Sequence, residues 1–269
     1  MCTIGAMRFG DGSYALFKNK DFGRPSFDDQ IVLEPSVFGV SGLVTWTGDD
    51  PSLDEFSGFS IGANAHGLLC CDANVKMVPD HANYDDLVEI ALRSSTDFVG
   101  AIEAVADAVA RRPHHWGNLV LIDGDLSGAI EVRGNRIEVV VNDGSTVRTN
   151  HHIALGATEY DDNTTTSQPR LEAAQRLIDD ADTVGDLYDL MCSHDDGAGA
   201  ICVHGEHQTV YGYLLHHDRS GVALTVTQGS PCQTARPVNL TLPIGNSWST
   251  SAADRFRRAY PSARSKTPT

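Results

Sequence analysis

The stretch CTIGAMRFGDGSYALFKNKDF, residues 2–22, reads as a β-hairpin. Two strand-like runs, CTIGAMRF and SYALFKNKDF, flank GDGS, whose Asp-Gly pair is a common hairpin turn signal. The hairpin brings the end of its second strand, Lys18-Asn19-Lys20-Asp21, back beside the start of its first, where Cys2 sits. Cys2 follows the initiator Met1, which is normally trimmed before a small residue. Trimming leaves one residue carrying both a thiol and a free α-amine, a nucleophile with its own base. A buried Asp21 would orient that amine, and Lys18 would favour the thiolate. Positions 18 and 21 have opposite strand parity, so a bulge or strand end is needed for both to face Cys2. The alternative is two solvated charges at a strand end.

Further strands are expected at QIVLEPS and GLVTWTG, and a second hairpin at GFSIGANAHGLLCCDANV with NAHG at its turn. From Asp85 to Arg111 the apolar period becomes helical, in DDLVEIALRSS and TDFVGAIEAVADAVARR, with Thr96 placed to cap the second helix. Strands resume at NLVLIDG, GAIEVRG, RIEVVVN and STVRTNHHIAL, and helices at QPRLEAAQRLIDDA and TVGDLYDLMCSH. AICVHG, QTVYGYLLHHD, GVALTVTQGSP and RPVNLTLP return to β. Strand blocks alternating with helix pairs point to an α+β fold, two antiparallel sheets packed together with a helix pair on each outer face. A single domain over 1–245 is expected, followed by a weakly ordered Ser-, Ala- and Arg-rich tail over 246–269.

The 269 residues carry a formal net charge of −16, with 27 Asp and 9 Glu against 16 Arg and 4 Lys. That balance argues against binding a nucleic-acid backbone, which requires clustered Lys and Arg. Abundant aspartate with scarce lysine suggests a halophilic protein whose self-repulsion is screened by salt. No apolar run is long enough to span a membrane, and the N-terminus has no signal-peptide pattern, so a cytoplasmic location is expected. The six cysteines form no short-spaced framework and are expected to be reduced. Adjacent Cys70 and Cys71 point to opposite faces of a strand, which disfavours a redox pair.

The run MCSHDDGAGAICVHGEH offers Cys192, His194, Asp195, Cys202, His204 and His207 to a metal. Its spacings match no zinc pattern, and AICVHG reads as a strand with alternate residues in the core, so no metal is expected. Cys232 is expected to be packed inside a tight turn. No Gly-rich loop precedes a helix in a phosphate-cradling pattern, so no nucleotide or other cofactor is expected.

The opening CTIG…FKNKDF resembles the N-terminal nucleophile (Ntn) hydrolases related to acyl-coenzyme A:6-aminopenicillanate acyltransferase, and more distantly the bile-salt and penicillin V amidases. The N-terminal Cys is followed one hairpin later by an Asn-x-Asp segment, Asn19 and Asp21. IGANAHGLLCCDANV resembles the family's strand pair ending in an Asn, here Asn74. GNLVLIDGDLSGAIEV resembles the pair ending near a Glu, here Glu131. TNHH resembles its Thr-Asn-His, with Asn150, and SQPRLEAAQRLI its Ser-x-x-Arg helix start, with Ser167 and Arg170. AICVHG and GSPC resemble the closing strands, so the likeness runs from residue 2 to about 242.

The resemblance implies a four-layer αββα sandwich and a thiol nucleophile at Cys2. The α-amine, with a reference pKa near about 8, acts as general base. Asn74 and Asn150 are implied oxyanion donors, Asp21 the amine's orienter, and Lys18 part of the catalytic set. Asn19 and Arg170 become candidate substrate-binding residues, although Arg170 has the alternative of pairing with one of the many acids. Lys18 stands where bile-salt amidases have Arg, which weakens inference about that substrate's carboxylate. Because Cys2 needs only the loss of Met1, no internal cleavage into two subunits is expected. The implied activity is hydrolysis or acyl transfer on a linear, non-peptide N-acyl amide, with a small-molecule substrate and a homo-oligomer open. The rival is a non-catalytic binding protein of the same fold that keeps Met1.

Overall fold

The computed structural model describes residues 1–22, 29–41, 58–156, 164–194, 197–205 and 207–261. β1 (Cys2–Arg8) and β2 (Tyr14–Phe22) pair antiparallel, with Cys2 opposite Lys20 and Ile4 opposite Lys18. At the turn, the Asp11 carboxylate accepts from the Ser13 amide at 2.9 Å, and Gly12 takes φ 84°, a region that favours glycine. β1 also pairs with β10 (Ser145–Arg148), and β2 with β11 (Gln208–Asp218). β12 (Gly221–Gln228) and β13 (Val238–Thr241) complete an antiparallel six-stranded sheet in the order β10-β1-β2-β11-β12-β13.

The second sheet is a seven-stranded meander in chain order. It runs through β3 (Gln30–Glu34), β4 (Val37–Ser41), β5 (Phe59–Asn64), β6 (Leu69–Lys76), β7 (His114–Ile122), β8 (Ser127–Gly134) and β9 (Arg136–Asn142). The β5–β6 turn is held by the Asn64 side chain, which accepts from the amides of His66 and Leu68. Helices α1 (Asp85–Ser94) and α2 (Phe98–Arg111) cover the meander's outer face. α3 (Thr164–Asp179) and α4 (Val184–Cys192) cover the other sheet.

Strand alternation explains why three cores arise. Ile4, Leu16, Ile61, Val120 and Tyr213 fill the space between the sheets. Their sequence neighbours face outward: Phe17 packs under α3 and α4, and Leu119 and Leu121 under α1 and α2. With both faces covered, a strand must be buried along its whole length, polar residues included. β2 meets this demand, being buried from Tyr14 to Asp21. The architecture is the α+β, four-layer αββα sandwich that the block order predicts.

Several local expectations change. GLVTWTG lies outside the described residues, and Val37–Ser41 forms a strand that was not anticipated. Asp97, not Thr96, caps α2, its carboxylate accepting from the Gly100 amide. AICVHG is no strand: the amides of Ile201 and Cys202 both donate to the Ser193 carbonyl, folding the segment back on the end of α4. STVRTNHHIAL leaves the sheet after Arg148, because side chains of the facing sheet capture its backbone. The stretch after Gly245 contains α5 (Thr250–Ala259), whose Ala253 and Phe256, with the following Tyr260, are buried in the inter-sheet core; 262–269 lie outside the described residues. Its scattered apolar residues are few, but they fall on one helical face. Among the described residues no helix is long and apolar enough to cross a membrane.

Candidate active site

Cys2 is 7% exposed, and its backbone is gripped from both sides. Its nitrogen donates to Asn150 Oδ1 at 2.9 Å, and its carbonyl accepts from Arg170 Nη1 at 2.7 Å. Arg170 also donates to Thr3 Oγ1 at 3.0 Å and, through Nη2, to Asn150 Oδ1 at 2.7 Å. Asn150 Nδ2 donates to the Asn74 carbonyl at 2.6 Å. One amide side chain thus links the first strand to β6 of the other sheet.

Asp21 closes the other side of the N-terminus. The ammonium of Met1 donates to the Asp21 carbonyl at 2.9 Å, and the Asp21 amide to the Met1 carbonyl at 2.8 Å. The carboxylate takes a 2.6 Å bond from Thr209 Oγ1 through Oδ1, while Oδ2 has no partner among the described residues. Burial pushes the Asp21 carboxyl up; the terminal ammonium, Arg170 and the Thr209 bond pull against it.

The segment carrying Asn150 is held by polar groups buried in the sheets. Asn118 Nδ2 donates to the carbonyls of Thr149 at 2.9 Å and His151 at 2.8 Å. Glu131 accepts from the amides of Ile153 and Leu155 and from Arg148 Nε at 3.1 Å. Burial opposes the Glu131 charge, but these main-chain donors and Arg148 outweigh it and hold the carboxyl below its usual range. Ser167 Oγ, at the start of α3, accepts from the Asn150 amide at 2.8 Å.

The β1–β2 register settles the parity question. Residues directly opposite share a face, so Lys18 and Lys20 lie with Cys2 on the inter-sheet side, and Asp21 on the helix side. Lys18 Nζ donates to Asp72 Oδ1 at 2.9 Å and to the Ser60 carbonyl at 3.0 Å. Burial works against its charge, but Asp72, with smaller contributions from Cys2 and Asp85, more than offsets it and raises the pKa. Asp85 is pushed well up by burial and by Asp72, so it stays protonated and donates to Asp72. Lys20 pairs with Asp29, which also accepts from the Tyr213 hydroxyl.

Asn19 occupies a different place from that expected of a substrate contact. It is fully buried, and its Nδ2 donates to the carbonyls of Met191 and Ile201. It braces the end of α4 against the segment beyond. Arg170 is 1% exposed; it serves the Cys2 backbone and also lines a cavity of about 200 Å³ with Met1, Thr166, His194, Cys202 and His204. Asn74 is half-buried, with an Oδ1 that has no partner among the described residues.

Sequence reasoning missed Thr209, Asp72 and Asp85. For Asp72 a signal existed: a lone acid inside the apolar run LLCCDANV must find a buried partner. Thr209 carries no comparable mark.

This sandwich, with a cysteine at the end of an inner strand, is the fold of the Ntn hydrolases. No family model matches the chain, and no curated protein sequence matches it. Among solved structures, it is similar to a mutant conjugated bile acid hydrolase from Clostridium perfringens, with a TM-score of 0.56 and 14% identity over 90% of this chain and 92% of that one. It is also similar to penicillin V acylase from Agrobacterium tumefaciens, with a TM-score of 0.52 and 9% identity over 89% and 86% of the two chains. At these identities the likeness establishes the fold.

Proposed function

We propose that this protein is a cysteine Ntn amidohydrolase that cleaves a linear, non-peptide N-acyl amide through a Cys2 thioester once Met1 has been removed. The observation that carries the reading is the grip on Cys2: a nitrogen 2.9 Å from Asn150 Oδ1 and a carbonyl 2.7 Å from Arg170. Removing Met1 turns that nitrogen into a free α-amine already oriented by Asn150, and frees the backbone of Asp21, whose Oδ2 has no partner among the described residues. Met1 lines the cavity that Arg170 also lines, so its loss enlarges that cavity. The two structural neighbours, by name a conjugated bile acid hydrolase and a penicillin V acylase, agree with this substrate class.

The amine takes the Cys2 proton, directly or through water, and the thiolate attacks the substrate's acyl carbon. Charge develops on the former carbonyl oxygen, where the Asn74 side-chain amide is the donor. Asn150 spends its Nδ2 on the Asn74 carbonyl and its Oδ1 on the Cys2 nitrogen, so its part is to fix both. The ammonium returns its proton to the leaving amine as the tetrahedral intermediate collapses to the thioester. Water, activated by the same amine, releases the acid; an acceptor amine in place of water gives acyl transfer. Lys18 lies on the thiol's face and favours the anion electrostatically.

The test is mass spectrometry of the purified full-length protein. The expected mass lacks Met1, and incubation with an N-acyl amide adds one acyl group to Cys2 that is absent in Cys2→Ala. A protein that retains Met1, or an adduct on another thiol, overturns the reading in favour of a non-catalytic binding protein or a different nucleophile.

A further inference from the structure

Three potential metal ligands meet beside the cavity that Met1 lines, and His194 and His204 form part of its wall. One ligand atom from each of His194, His204 and Cys232 lies within 4.8 Å of the others. Cys232 Sγ is 3.2 Å from His204 Nε2 and 3.3 Å from Cys202 Sγ. We propose that His194, His204 and Cys232, with Cys202 as the fourth ligand, bind a thiophilic divalent cation of the zinc type.

The donor set is the first argument. Two imidazoles and two thiols are the ligands of a closed tetrahedral zinc site. With metal–sulfur bonds of about 2.3 Å and metal–nitrogen bonds of about 2.0 Å, tetrahedral geometry separates N from S by about 3.5 Å and S from S by about 3.8 Å. The two Cys232 contacts therefore need to open by only a few tenths of an ångström, while Cys202 Sγ, which lies outside the group of three, has to turn toward the histidines to complete the set. The rings of His194 and His204 stand at 90° to each other, with centroids 5.7 Å apart.

The scaffold is the second. His194 follows the end of α4, and its Nδ1 lies 2.9 Å from the Cys192 carbonyl. That contact suits a tautomer with Nδ1 protonated and Nε2 basic, the outer-shell bond that metal-bound histidines use. The segment carrying Cys202 and His204 is tied back to Ser193 by the amides of Ile201 and Cys202. Cys232 sits in the short helical turn Pro231–Gln233 after β12. The ligands thus belong to backbone that is already fixed, and both histidines are exposed, which gives an ion a path in.

The competing use of two close sulfurs is a disulfide. Here both cysteines are free thiols, their sulfurs 3.3 Å apart against about 2.05 Å for an S–S bond. Binding a metal ion displaces both thiol protons to solvent, and the two thiolates neutralise its charge. The bound ion would clamp the end of α4 to the turn after β12 and fix the part of the cavity wall formed by His194, Cys202 and His204. The local sequence run conceals this because Cys232 lies 28 residues beyond His204, and because Asp195, the other candidate in the run, lies outside the described residues.

The test uses the reduced, metal-stripped full chain carrying Cys2→Ala, so that the thiol of the proposed nucleophile contributes no ligand. Zn²⁺ is titrated against a chromophoric chelator, and Co²⁺ is added as a spectroscopic probe. The expected result is one equivalent bound with submicromolar affinity, about two protons released, and the thiolate-to-cobalt charge-transfer bands of a tetrahedral site. Cys232→Ser and His204→Ala, checked for native circular dichroism, each weaken binding by about 100-fold or more, while Cys192→Ser does not. No stoichiometric binding, a cobalt spectrum without thiolate bands, binding unchanged in a Cys232→Ser/His204→Ala double variant, or a Cys202–Cys232 disulfide that persists under mild reduction would each overturn the proposal.

Discussion

The Cys2 nitrogen and Asn150 Oδ1, 148 residues apart, stand 2.9 Å from each other, and Arg170 Nη2 reaches the same oxygen at 2.7 Å. A single acceptor therefore fixes the backbone of the first strand and the guanidinium of α3. Asn150→Ala removes that acceptor and the clamp on the Asn74 carbonyl, and leaves Arg170 short of a buried partner. The expected outcome is a fall of about 10²–10³ in the acylation rate, the size seen when an oriented polar group is lost from such a site. Single-turnover acylation by an N-acyl amide, followed by mass, reads it. Wild-type acylation in Asn150→Ala would remove Asn150 from the machinery.

Asp72 and Asp85 are both buried carboxyls near Lys18, yet they carry different charges. Asp72 is the ionised partner at 2.9 Å, and Asp85 is held protonated by burial and by Asp72. Asp72→Asn breaks a buried ion pair and strands the ammonium, at an expected cost of about 3–5 kcal/mol. Asp85→Asn keeps a neutral donor of the same shape and is expected to cost less than about 1 kcal/mol. Urea denaturation of the two variants distinguishes them. Equal losses would mean that the proton is placed wrongly.

The hairpin was legible because Asp-Gly turn chemistry is local, and so was the layering, because strand and helix periods differ. Asp21 was legible as a neighbour of Cys2 for the same reason. The partners of Lys18 and Asn19 were not, since each depends on which face of β2 a residue takes and on what the other layers place there. AICVHG looks like a strand because Ile201 and Val203 alternate with polar neighbours. What decides it is a carbonyl, that of Ser193, which no side-chain pattern reveals. Glu131 and Asn118 are polar residues in apolar strands; their type marks them as buried and bonded, but their partners, the backbone of 149–155, become visible only when the sheets are stacked.

His114 provides a pH-dependent element of stability. Burial, with help from the nearby Arg112 charge, pushes its imidazole down to about 4 from the usual 6.5. Between those values the unfolded chain binds the proton and the folded one does not, so stability rises with pH across the window. The contribution is whole above about pH 6.5 and is lost as pH falls through about 4, amounting to about 3 kcal/mol. His114→Gln is expected to flatten the stability profile between pH 4 and 6.5 relative to wild type. An unchanged slope would assign the effect to other groups.

The C-terminal helix closes the open end of the inter-sheet core. The rings of Phe256 and Phe38 meet edge to face with centroids 5.6 Å apart, and the Tyr260 hydroxyl lies 3.1 Å from that of Tyr213. Phe256→Ala is expected to cost about 3–4 kcal/mol, the usual price of an emptied aromatic site. A chain ending at Gly245 should lose more and expose apolar surface to a hydrophobic dye. Wild-type thermal stability in that truncated chain would return α5 to the status of an appendage.

The charge of −16 sets the last expectation. Self-repulsion among exposed carboxylates destabilises the compact state, and salt reduces it as the screening length falls from about 10 Å at 0.1 M to about 3 Å at 1 M. Some of these carboxylates already have local work: Asp97 and Asp186 cap helices and are held below the usual carboxylate range by amide donors at the caps, with Thr183 assisting Asp186 and Thr96 assisting Asp97. The remainder have few lysines to offset them. The thermal midpoint is therefore expected to rise steadily from low to molar KCl, most steeply where the screening length is changing fastest. Chloride is the right counter-ion for the test, because sulfate would stabilise any folded protein by strengthening apolar burial. Coincident midpoints in low and molar KCl would show that the acidic surface is not an adaptation to salt.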